Sequence, residues 1–279
     1  MKAATLSESL RFEGIGLHTG ERATMEIRPA KPYNGIVFEL TDGIRVPALA
    51  EYAVETPLAT ILSSQGRSVS TVEHVLSALL GMGVSDADIV LRGSEVPILD
   101  GSTAAYAAAI NRVGLEFSSE PRPVFAPNEP FELRSGERAV VVLPAPVFRV
   151  RFVAQYGAPI GTHYFDAEIE PAAYAKQIAP ARTFAFLRDV EAMREQGLAR
   201  GGTLDNALVF DDDGPMQSLR WENEIVRHKV LDLIGDFALL GAWPRCEVIA
   251  IKSGHAMHAR VTRALRQQSI VSTAGREAC

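Results

Sequence analysis

Three side chains spaced four apart, His228, Asp232 and Asp236, stand in the stretch Arg227-His228-Lys229-Val230-Leu231-Asp232-Leu233-Ile234-Gly235-Asp236. On an α-helix they share one face, because a turn takes about 3.6 residues. A rise of about 1.5 Å per residue separates His228 from Asp236 by about 12 Å along the axis. One ion could therefore touch His228 and Asp232 but not Asp236, which is free to orient something else. Pairs at i, i+4 are commonly exposed and merely hydrogen-bonded, and spacing alone leaves that reading open. The surroundings weigh against it: both aspartates interrupt an apolar run, where an unpaired buried charge would be very costly.

Other candidates are scattered. There are six histidines, at 18, 74, 163, 228, 255 and 258. Glu73-His74 follows Ser70-Thr71-Val72, which fits a capping box with Glu73 folding back onto the first turn of a helix. His255, in Lys252-Ser253-Gly254-His255, follows a strand and a glycine and is expected in a loop facing a cleft. Thr183, in Ala181-Arg182-Thr183-Phe184, has no signal of its own. Gly14-Ile15-Gly16-Leu17-His18-Thr19-Gly20 has the look of a phosphate loop without its lysine or its helix. The two cysteines, Cys246 and Cys279, form no C-x-x-C pair, so any metal must be held by histidines and carboxylates.

The elements that must position these groups fall into two halves. A proline-rich stretch at 121–130 divides residues 1–120 from 131–279. Each half opens with alternating strands, Ala23–Ile27 and Gly35–Leu40 in the first, Ala139–Leu143 and Phe148–Phe152 in the second. Each then has a histidine-bearing helical stretch, a glycine and a strand: Glu73–Gly81 then Ala87–Leu91, and Arg227–Leu233, running to Gly241, then Glu247–Ile251. Pattern alone leaves duplication and coincidence equally open. Two related halves face to face would bring both histidine helices to one seam, where binding sites form.

The bulk properties bound the function. With 279 residues and 47% apolar content, the chain can build a core without disulfides or a structural metal. A net charge of −6 argues against a nucleic-acid partner. No stretch is long and apolar enough for a membrane span, and the N-terminus lacks the apolar segment of a signal peptide, so the cytoplasm is the expected location.

Taken together, seven segments resemble the UDP-3-O-acyl-N-acetylglucosamine deacetylases, zinc enzymes of lipid A biosynthesis. They are Gly14–Gly20, Thr71-Val72-Glu73-His74, Ser94-Glu95-Val96-Pro97-Ile98-Leu99-Asp100-Gly101-Ser102, Ala181–Phe184, Gly201-Gly202, Arg227–Asp236 and Lys252–His255. The resemblance runs nearly the whole chain, in the family's order. It implies an α+β fold of two similar layered sheet-and-helix domains, two-layer sandwiches with the active site at their interface. The implied reaction removes the N-acetyl group of UDP-3-O-(3-hydroxyacyl)-N-acetylglucosamine, with one Zn2+ per chain; a monomer is expected, although the sequence itself does not give the oligomeric state.

The same resemblance implies roles. His74, His228 and Asp232 bind the zinc, leaving a fourth position for water. Glu73 is the general base and His255 the general acid, Thr183 shares the developing oxyanion, and Asp236 pairs with His255. Glu73 then leaves the helix cap to Ser70 or Thr71. Lys229, Lys252, Phe184, Tyr156 and His18 match positions near the substrate or the metal. His163 and His258 match nothing and are expected in solvent. Two departures stand out: Ala185 replaces a glycine, and Arg200 stands where an apolar residue would border the acyl passage, there to narrow it or line its wall. A family member that binds the UDP-sugar without turnover would lack Glu73 or His255, and both are present. An unrelated zinc protease would show H-E-x-x-H, which does not occur.

Overall fold

A computed structural model describes residues 1–274; Cys279 lies outside them. Alternating burial along the strands builds two five-stranded sheets. The first contains β1 (Leu10–Ile15), β2 (Arg22–Pro29), β3 (Ile36–Leu40), β4 (Arg45–Pro47) and β5 (Ala87–Arg92), in the order β1-β2-β5-β3-β4. The second contains β6 (Phe131–Ser135), β7 (Arg138–Pro144), β8 (Arg149–Gln155), β9 (Thr162–Glu168) and β10 (Cys246–Ile251), in the order β6-β7-β10-β8-β9. In both, the last strand enters the middle, antiparallel to one neighbour and parallel to the other. A parallel pair needs a crossover, and helices supply it.

The crossover into β5 contains α1 (Glu73–Gly81), and α2 (Ala104–Val113) follows it. The crossover into β10 contains α3 (Pro171–Gln177), α4 (Leu187–Glu195) and α5 (Glu224–Phe237), and α6 (His255–Ala274) follows. The two halves thus share strand order and connection. The duplication that the sequence left open is written in the topology. Between them, 121–130 holds the short strand Val124–Phe125, paired in parallel with Trp243–Pro244.

A helix with apolar residues on every side, its charges paired, belongs in the centre. Every residue of α1 is buried, and in α5 only Arg227 is not. The two pack along each other, and one continuous core runs through both halves. Their contact is backbone on backbone: a Cβ on Gly235 would lie 2.0 Å from the carbonyl oxygen of Glu73. Only glycine allows that approach.

Two expectations fail here. α1 starts after Val72 with no side-chain cap, so neither the capping box nor a Ser70 or Thr71 cap forms. The Glu73 carboxylate instead accepts the amide of Thr60, and Thr71 donates to Glu95. His255 is the first residue of α6 rather than part of a loop.

Each half carries one insertion at the seam. The first has a three-stranded meander, Ala53–Val54, Ile61–Ser64 and Arg67–Val69. The second has the parallel strands Phe184–Phe186 and Leu208–Phe210, with α4 between them in sequence.

Candidate active site

The α1–α5 contact brings His74 and His228 together, with ring centroids 5.2 Å apart. Donor atoms of His74, His228 and Asp232 all lie within 4.8 Å of one another, and all three residues are buried. The Nδ1 of His228 donates to the carbonyl of Ala181 at 3.1 Å, which turns Nε2 toward Asp232, 3.2 Å from its Oδ1. Arg182 holds that carbonyl in place by gripping Glu224, at the start of α5, with its Nε at 2.9 Å.

Burial, reinforced by His228, pushes His74 down to about 3, so its ring is neutral. Its buried Nδ1 has no hydrogen-bond partner among the described residues. Burial alone would raise Asp232, but His228 and Lys229 hold it well below the usual carboxylate range. Two imidazoles, that of His74 neutral, and one ionised carboxylate form a donor set that fits a divalent metal ion.

Asp236 organises a second cluster one turn along α5. Its Oδ2 accepts Nδ1–H of His255 at 3.0 Å and Nδ1–H of His258 at 2.7 Å, while its Oδ1 accepts the Thr60 hydroxyl. Burial opposes its charge, but His255 and the hydrogen bonds prevail and bring Asp236 down to about 2. Burial likewise disfavours the charged His255 ring, yet Asp236 and Asp232 outweigh it and raise His255 to about 9. The free edge of His255 points at the donor set, with Nε2 3.7 Å from Asp232 Oδ2 and 3.9 Å from Glu73 Oε1. Burial pushes Glu73 up to about 8, with the charge of His255 pulling the other way.

The expectation of solvated His163 and His258 is corrected. His258 is fully buried, and His163 is half-buried with Nε2 on the carbonyl of Ile160. Thr60 and His258 are the residues that sequence reasoning missed. Thr60 carries no local signal, and His258 shows only as one residue a turn beyond His255.

Three cavities meet at this point. One of about 430 Å³ is lined by Glu73, His74, His228, Asp232, His255 and Thr183, with His18, Tyr156, Phe184 and Lys229 around them. A second, about 330 Å³ and largely apolar, continues past Phe184, Leu187, Val190, Met193, Leu204 and Val209. A third, about 580 Å³, opens on the other side, with Lys229, Lys252, Arg138 and Tyr156 in its wall. Every site residue singled out in the sequence lies on one of these walls except Asp236, which sits behind His255. Ala185 lines the first two cavities. Arg200 is exposed and lines none of them, so it neither narrows the apolar cavity nor forms its wall.

The phosphate-loop look of 14–20 has an internal explanation. The amides of His18 and Thr19 donate to the carboxylate of buried Glu95, at 2.9 and 2.8 Å. The loop does bind an anion, and the protein supplies it. A Cβ on Gly16 would fall 2.2 Å from Glu95 Oε2. So fixed, the loop receives amides of the second half: Arg200 on the His18 carbonyl and Gly201 on that of Leu17. Gly101 in turn accepts the Thr183 amide at 2.8 Å. The glycine-bearing segments hold the two halves around the cavity.

Fold and site together define a class: a two-half α+β protein with a metal-type donor set and two further proton-carrying groups at its seam. Comparison with known proteins narrows this. The family model of UDP-3-O-acyl N-acetylglycosamine deacetylase matches residues 3–267, and the chain belongs to that family. A protein named UDP-3-O-acyl-N-acetylglucosamine deacetylase from Syntrophotalea carbinolica is 42% identical over 258 residues, covering 90% of this chain and 84% of its own. Proteins of the same name from Myxococcus xanthus and Geotalea uraniireducens are 42% and 38% identical, over 93% and 95% of this chain and 84% and 88% of theirs.

Proposed function

We propose that this chain hydrolyses the N-acetyl group of UDP-3-O-(3-hydroxyacyl)-N-acetylglucosamine, releasing acetate and the free amine in the committed step of lipid A biosynthesis. The observation that carries the reading is the convergence of His74, His228 and Asp232 beside Glu73 and His255 on one cavity wall. The relatives named for this reaction support it.

In this reading His74, His228 and Asp232 hold one zinc ion. When bound, zinc supplies a position for a water of lowered pKa and a positive charge for the carbonyl oxygen. Glu73 takes a proton from the attacking water. A base held near the working pH both accepts and releases readily. The Thr183 hydroxyl lies on the same wall and donates to the oxygen that gains charge as the carbonyl carbon becomes tetrahedral. His255 gives its Nε2 proton to the departing nitrogen, because an amide anion is a very poor leaving group. Asp236 keeps Nδ1–H of His255 occupied, so the proton that leaves is the one facing the cavity.

The apolar cavity takes the acyl chain, where each buried CH₂ contributes about 0.8 kcal/mol. Lys229, Lys252 and Tyr156 face the cavity assigned to the nucleotide; Lys252 is held there by Glu137 at 2.5 Å. No described helix is long and apolar enough to cross a membrane, and the reading takes the chain as a cytoplasmic monomer. The test is acetate release from the UDP-acyl-amino sugar, with and without chelator, beside UDP-N-acetylglucosamine lacking the acyl chain. Release that survives exhaustive chelation sinks the metal, and equal release from both sugars sinks the acyl assignment.

A further inference from the structure

The proposed chemistry leaves His258 without a use, although it is among the most completely enclosed polar residues of the chain. Both of its ring nitrogens are engaged: Nδ1 lies 2.7 Å from Asp236 Oδ2, and Nε2 lies 2.8 Å from Ser253 Oγ. The ring also stands edge-on to Phe152, centroids 6.5 Å apart. An ionised carboxylate only accepts, so Nδ1 of His258 carries the proton toward Asp236. Burial holds the ring below its ordinary value, so it is neutral, and Nε2 accepts the Ser253 hydroxyl. The tautomer is thereby fixed at both ends.

We infer that His258 is a positioning residue for the proposed deacetylation: anchored by Ser253, it fixes Asp236 Oδ2 where that oxygen receives Nδ1–H of His255. The inference rests on the proposed roles of Asp236 and His255. The oxygen is shared, since His255 Nδ1 is 3.0 Å from the same Oδ2. Thr60 holds the other oxygen, and His258 is the second donor on Oδ2, so the carboxylate is held at both ends against rotation about its Cβ–Cγ bond while His255 uses the remaining lone pair of Oδ2. Ser253, His255 and His258 come from one short segment, the entry and first turn of α6, so the clamp also sets how that turn meets α5. Lys229 and Asp236 of α5 and His255 of α6 are the charged groups that bear on the ring, and Asp236 alone hydrogen-bonds it among them.

Two substitutions separate a donor from a space-filler. His258→Phe keeps the ring against Phe152 and removes both hydrogen bonds. His258→Asn loses volume but keeps an N–H that reaches Asp236 in place of Nδ1. On the metal-loaded enzyme, His258→Phe is expected to lower kcat roughly tenfold, as for one misplaced charge-assisted hydrogen bond, with KM and metal content unchanged. His258→Asn is expected to recover most of kcat despite a lower Tm, and Ser253→Ala to fall between. Should His258→Phe keep full kcat, or His258→Asn turn over no faster than His258→Phe, the role is packing and the inference is overturned. Nitrogen-15 NMR of the unmutated, metal-loaded protein tests it without any variant: a His258 proton on Nδ1 is expected, and one on Nε2 overturns it. That spectrum is independent of turnover, so a protein releasing no acetate would sink the proposed reaction and leave the hydrogen bond still measurable.

Discussion

The two halves of the molecule are built alike and equipped differently. Helix α1 brings two titratable groups to the seam, both in its first turn, and is otherwise apolar except for Ser77. Its counterpart α5 carries His228, Lys229, Asp232 and Asp236 along one buried face. The same contrast holds for the following helices. α2 begins after Asp100-Gly101-Ser102 and serves mainly packing, with Tyr106 edge-on to Phe12 at 4.6 Å. α6 begins with His255 and adds His258 within its first turn. A duplicated scaffold therefore fixes geometry in both halves, whereas charge is concentrated in one. The concentration works because the buried charges of α5 have partners: Glu224 on Arg182 at 2.9 Å, Lys229 on Asp232 at 2.6 Å, and Asp236 on two histidines. Buried charges survive only when so paired.

Removing the paired donors tests whether the halves contribute equally to the metal. His74→Ala on α1 and His228→Ala on α5 should each lose both metal and activity, measured as zinc per chain and acetate release on the same preparations. Retention of metal by either variant would make the site one-sided and break the comparison. The next largest effect separates ligands from proton carriers. His255→Ala and Glu73→Gln should keep about one zinc per chain and lose rate by roughly 10²–10⁴-fold. Loss of zinc in His255→Ala would make that histidine a ligand and redraw the set.

The seam itself is probed at Gly235, where a methyl group has 2.0 Å to the Glu73 carbonyl. Gly235→Ala should destabilise by about 3 kcal/mol or more, because the obstacle is backbone, which cannot rotate away. Urea unfolding measures it, and a stability unchanged from the parent would mean that the helices are free to separate. The smallest effect concerns acid. Asp236 titrates near 2 in the fold, below its ordinary range, so its contribution is present above that range. It is lost as pH falls from about 4 toward 2 and amounts to about 2 kcal/mol at most. Asp236→Asn should flatten the acid limb of stability in the chelated protein by that amount. An unchanged limb would show the carboxylate to be worth nothing to the fold.

What the sequence disclosed follows from which contacts are local. The face shared by His228, Asp232 and Asp236 is a matter of helix period, and the apolar residues around it announced burial. The duplication was half legible, since strand and helix periods show in sequence while strand order does not. Thr60 reaches Asp236 across 176 positions, and no spacing rule spans that distance. The false cap at Ser70–Glu73 arose for the same reason. Its local pattern is sound, but Thr60 and Glu95 offered those side chains better partners from elsewhere in the fold.

The backbone contact at Gly235 has a consequence for metal exchange. Helices held apart by intervening side chains can settle inward when an ion leaves, and must be pried open before another enters. Here the Glu73 carbonyl already rests on Gly235, so the two histidine-bearing helices have no slack to take up. In the proposed metal site the donor atoms already lie within 4.8 Å of one another, so little of the binding free energy would go into ordering them. Uptake by the chelated protein should then be a single second-order process, its rate proportional to ion concentration without a plateau.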